Sequence, residues 1–61
     1  MSELEISEIF KQLDSNIREL LSLVHSIKID RIIGDKEKAR EDLVRAQWLA
    51  QKINEMLYEL G

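Results

Sequence analysis

The stretch Ile32-Ile33-Gly34-Asp35-Lys36-Glu37-Lys38-Ala39 decides the fold. Glycine occurs only here and at Gly61, and the chain has no proline, so Gly34 is the one strong break in the interior. A glycine can take the left-handed conformation that closes a helix. The next residue, Asp35, can accept hydrogen bonds from the free N–H groups of a following helix. Glu37 then stands in that helix's first turn, where negative charge is favoured. One helix stops and another starts within two residues.

Outward from this break, both halves carry the same period. Before it, Ile6, Phe10, Leu13, Ile17, Leu20, Val24 and Ile27 are spaced 4, 3, 4, 3, 4, 3. After it, Ala39, Leu43, Ala46, Ala50, Ile53, Leu57 and Leu60 repeat that spacing. This is an unbroken coiled-coil a/d pattern in both halves, where a strand would alternate. Ser2 with Glu5 fits a capping box at the start. Lys28 and Arg31 favour the end of the first helix. Asp14 with Arg18 and Glu41 with Arg45 are charge pairs at helical spacing. The expectation is an all-α chain of one domain, with a helix over about 3–33, a turn at 34–35 and a helix over about 36–60. So short a turn folds the helices back as antiparallel neighbours, each roughly 40–45 Å long.

A chain of 61 residues holds one small core. With no Cys it has neither a disulfide nor a thiolate metal site, and one His does not make a zinc site. Its stability must come from good packing or from a partner. The apolar surface exceeds what one seam needs: Ile9, Leu21 and Leu23 flank the a/d line of the first helix, and Leu49 and Met56 flank that of the second. Small residues (Ala39, Ala46 and Ala50) leave room for large ones such as Ile17 and Leu20, which suits layered packing. Pairing two hairpins into a four-helix bundle covers the rest, and a homodimer is the default because most soluble oligomers are symmetric. A larger, different protein is the alternative cover.

In length, heptads, tight central turn and core alanines, the chain resembles the Rop family of plasmid RNA-binding regulators. The resemblance is architectural and covers the whole chain. It implies dimerisation into a four-helix bundle, and an RNA-binding role for the outer face of the first helix. Independently of the resemblance, which carries over no individual residue, the outer face of the first helix presents Lys11, Ser15, Arg18, Ser22 and His25, spaced 4, 3, 4, 3, a stripe suited to phosphate contact. Asp14 and Glu19 beside it weaken its pull on an anion, and nine basic against twelve acidic residues disfavour nucleic acid in general.

The stronger expectation is a protein interface. Trp48 stands at an f position one turn after Val44, pointing away from the a/d seam. An exposed Trp beside a Val is the kind of patch that marks binding hot spots. Ile29, Ile32 and Ile33 form a second group off the seam near the turn. With Leu21, Leu49 and Met56 they make up the candidate interface. No nucleophile has a base at hand, and the carboxylates converge on no pocket, so no catalytic residue, cofactor or small-molecule substrate is expected. No apolar run approaches the roughly 20 residues of a membrane span. The acidic start Glu3-Leu4-Glu5 lacks the basic opening of a signal peptide, which points to the cytoplasm.

Overall fold

Ser2 opens the first helix. Its extended backbone and free hydroxyl let Oγ accept from the Glu5 N–H at 3.2 Å, with Glu3 and Glu5 in the first turn. From there the computed structural model, which describes residues 2–61, runs as α1 (Glu3–Ile33) and α2 (Lys36–Leu60). Gly34 closes α1 with φ 83°, in the left-handed region, and its N–H donates to the Asp30 carbonyl. The Asp35 N–H donates to the same carbonyl at 2.8 Å. Asp35 then caps α2, its Oδ1 accepting from the Lys38 N–H at 3.0 Å. Two residues thus satisfy the end of one helix and the start of the next, and the chain reverses into an antiparallel hairpin. Its extents are 47 × 14 × 13 Å, the length of α1 and the width of two helices.

The seam between the helices is formed by Ile6, Ile9, Leu13, Asn16, Leu20, Leu23, Ile27 and Asp30 of α1. Against them lie Ala39, Asp42, Ala46, Leu49, Ile53, Met56 and Leu60 of α2, all of them buried or half-buried. This corrects the a/d line in one respect. Ile6, Leu13, Leu20 and Ile27, with Ala39, Ala46, Ile53 and Leu60, do face the other helix. Phe10, Ile17, Val24, Leu43, Ala50 and Leu57 do not; they are exposed. In their place, residues expected only to flank the seam complete it: Ile9, Leu23, Leu49 and Met56. Leu49 is the centre of the core, at 0% exposure. The physical reason is that two helices alone need one narrow stripe each, and rotating each helix slightly puts positions 9, 16, 23 and 42, 49, 56 into contact. The wider stripe is left half unused.

The hairpin is under-covered for its size. It exposes 5060 Å², whereas a compact monomer of 7.2 kDa exposes about 4100 Å². The excess of roughly 900 Å² is close to the roughly 800 Å² that each partner of a standard protein interface buries.

Candidate functional site

The unused half of the heptad pattern forms one surface. Phe10, Ile17 and Val24 each stand four residues after one seam residue and one after another; so do Leu43, Ala50 and Leu57. The same offset on two antiparallel helices turns both sets to the same side of the hairpin. The five large members are between 39 and 54% exposed. The stripe is also symmetric along its length. Phe10 and Val24 lie seven residues either side of Ile17, and Leu43 and Leu57 lie seven either side of Ala50.

Charge marks its ends. Seven residues beyond Val24 and before Leu43, the stripe continues into Arg31 and Lys36. With Arg40 they rim an open groove at the turn, floored by Ile27, Ala39 and Leu43. Among the described residues these three cations make no ion pair, unlike Arg18, Lys38 and Arg45. Seven residues before Phe10 the stripe ends at Glu3.

The interface residues expected from sequence separate into two groups. Leu49 and Met56 are spent on the hairpin's own core: Leu49 is enclosed, and the Met56 Sδ accepts from Asn16 Nδ2 at 3.6 Å across the seam. Leu21, Ile29, Ile32, Ile33, Val44 and Trp48 are exposed, off both the seam and the stripe. Trp48 is not bare. At 46% exposure its ring carries the Arg45 guanidinium at 4.6 Å from the centroid and the Lys52 ammonium at 4.7 Å.

On the outer face of α1, Lys11, Ser15, Arg18, Ser22 and His25 are not enclosed by α2; Lys11 and Ser15 rim a shallow depression that also includes Lys52 and Asn16. Arg18 is engaged by Asp14, with Nε 3.1 Å from Oδ2. The stripe of five is present as expected from the helical period, but one of its two permanent cations is partly neutralised.

Asp30 and Asp42 are the residues that sequence reasoning missed. Asp30 lies in the seam at 3% exposure, and its Oδ2 has no hydrogen-bond partner. The Lys38 ammonium stands 3.8 Å from Asp30 Oδ1 and 3.2 Å from Asp42 Oδ2. The Asp30 carboxyl is pushed above its ordinary value, chiefly by a hydrogen bond with Asp42 and then by burial; Lys38 acts against both. The same hydrogen bond holds Asp42 below its ordinary value. Lys38 is raised, first by its hydrogen bond to Asp42 and next by the charge of Asp30. The available signal was the spacing Ile9, Leu13, Asn16, Leu20, Leu23, Ile27, Asp30, a second helical line as regular as the first.

These features define a small helical hairpin with a covered seam and an uncovered apolar face, and among the described residues no helix is long and apolar enough to cross a membrane. The chain belongs to the viral protein family described as Sulfolobus spindle-shape virus 1, protein D-63, whose model matches residues 1–61. No solved structure matches it.

Proposed function

We propose that this chain is a non-enzymatic interaction module, a hairpin that self-associates through its open face into a four-helix bundle and then presents its outer faces to a larger protein. The observation that carries this is the uncovered stripe of Phe10, Ile17, Val24, Leu43, Ala50 and Leu57. Its symmetry about Ile17 and Ala50 suits an isologous contact, in which the same patch meets itself. The excess surface is the amount such a contact covers.

Charge selects the orientation. If two hairpins stack with turns together, Arg31 and Lys36 of one copy meet the same cations of the other. If they stack turn against open end, the first helices cross at Ile17, Phe10 meets Val24, and Glu3 of one copy approaches Arg31 of the other. The second arrangement replaces repulsion by attraction, and like charges brought together count heavily against a competing docking mode.

In that bundle Val44, Trp48, Ile29, Ile32 and Ile33 stay on the outside. They are the surface offered to a larger partner, with the module acting as an accessory or regulatory subunit. An acidic chain with no cysteine suits a cytoplasmic setting. A Rop-like nucleic-acid role along Lys11, Ser15, Arg18, Ser22 and His25 is the weaker reading, because Arg18 is already paired with Asp14 and the net charge is −3.

The deciding experiment is solution mass by light scattering over a concentration series. A stable mass near twice 7.2 kDa is expected. A persistent monomer overturns self-association and assigns the open face to another protein.

A further inference from the structure

We propose that Asp30 and Asp42 hold one proton between them across the seam, and that this proton keeps the turn end of the hairpin closed, so that its loss at rising pH loosens that end. The starting point is an anomaly of burial. Asp30 is the one charged side chain among the described residues that is fully buried, and as an ionised carboxylate its Oδ2 has no donor. A buried acceptor without a donor is costly and rare. A proton on Asp30 removes the charge and lets Oδ2 donate toward the carboxylate of Asp42, which faces the same Lys38 ammonium across the seam.

The surrounding charges point the same way. The groups facing Asp30 are Asp42 and Lys38 from α2 and Asp35 from the turn. Three carboxylates therefore confront one ammonium. Lys38 sits nearer Asp42, at 3.2 Å, than Asp30, at 3.8 Å, so it compensates Asp42 first. Two acids that share a single cation titrate as a pair, and the singly protonated state is the favoured one.

The position couples this proton to the turn. The backbone carbonyl of Asp30 accepts from both Gly34 and Asp35, the two residues that reverse the chain. Once the proton is lost, the ionised Asp30 side chain is drawn toward water, and the carbonyl that anchors the turn moves with it.

The direction with pH follows from the two shifts. Asp30 is raised in the folded chain, so its contribution is complete below the ordinary carboxylate value and is lost as pH rises through the raised one. Asp42 is lowered, so its contribution is complete above the ordinary value and is lost as pH falls through the lowered one. Stability at this end is greatest in the acid window between the two.

The test is a carbon-13 carboxyl NMR titration of the full chain together with its thermal midpoint against pH at fixed concentration. Two separated steps are expected, Asp30 above and Asp42 below the ordinary range, with the Gly34 and Asp35 amides exchanging faster once the upper step is passed. Asp30→Asn supplies a donor that does not titrate. It is expected to abolish the fall in thermal midpoint across the upper step, and to melt a few degrees above the wild type at neutral pH. Both carboxyls titrating together at the ordinary value would overturn the proposal. So would an Asp30→Asn profile parallel to the wild type. If that variant does not fold, the wild-type titration alone decides.

Discussion

Arg45 of α2 crosses the hairpin to Glu19 of α1, Nη2 lying 3.1 Å from Oε1, while its guanidinium also covers the ring of Trp48. Both side chains of the ion pair are close to half exposed. Solvent therefore screens it, and a double-mutant cycle with Glu19→Gln and Arg45→Gln is expected to give a coupling of about 0.2–1 kcal/mol. The two single changes differ in a second readout. Losing Arg45 uncovers one contact of Trp48 and should shift its fluorescence to the red. Losing Glu19 leaves Arg45 free to stay over the ring and should shift it little. Equal shifts would mean that the ion pair, and not the cation–π contact, places Arg45.

Leu49 and Val44 separate the core from the surface. Leu49 is enclosed and Val44 is 61% exposed, yet both were expected at an interface. Leu49→Ala leaves a cavity in the middle of the seam between α1 and α2 and should cost about 2–5 kcal/mol. In so small a chain that is enough to abolish the cooperative melt followed by circular dichroism. Val44→Ala should lie within about 0.5 kcal/mol of the wild type. A mild Leu49→Ala would mean that the cover over the core is not the packing between these two helices.

Gly34 offers a cleaner case, because an added Cβ meets no atom within 4 Å and only the backbone is strained. At φ 83° that strain alone should make Gly34→Ala about 1–2 kcal/mol less stable. Gly34→Asn should recover part of this loss, since Asn tolerates the left-handed region better. Urea melts of the two variants decide the point, and equal costs would show that the turn does not hold Gly34 in this conformation.

The turn was the most legible part of the chain. Gly34 and Asp35 each have one conformational job that few other residues do, so their identity fixed the break to within a residue. The helices were legible for the same kind of reason: a period of 3.5 over about six turns has no strand equivalent. What the sequence does not encode unambiguously is which of two adjacent lines on a wide apolar face becomes the intramolecular seam. Phe10 and Ile9 are both apolar, as are Leu57 and Met56, and at two layers the seam takes the polar neighbour, Asn16 in place of Ile17 and Asp42 in place of Leu43. Side-chain character cannot choose between rotations that differ by a fraction of a turn; the mutual fit of both helices does. Asp30 was missed because a charged residue near a helix end reads as solvent-facing until its neighbours Asp42 and Lys38 are placed against it.

Val24 tests the open face with the least collateral damage. It is 54% exposed, stands clear of the seam and touches neither cap, so Val24→Glu should leave the helical content of the hairpin intact. In a bundle stacked turn against open end, the new carboxylate is buried opposite Phe10, where the cost of taking a charge out of water outweighs the help of Lys28 one turn further on. The variant should therefore lose the dimer mass while Val44→Glu, on the outer face, keeps it. Charge reversal then probes the orientation. Glu3→Arg alone sets like charges together at both ends of the bundle and should weaken association, chiefly at low salt. Adding Arg31→Glu in the same chain restores opposite signs and should recover it. Recovery absent in the double variant, with the wild type dimeric, would favour the hairpins lying turn against turn.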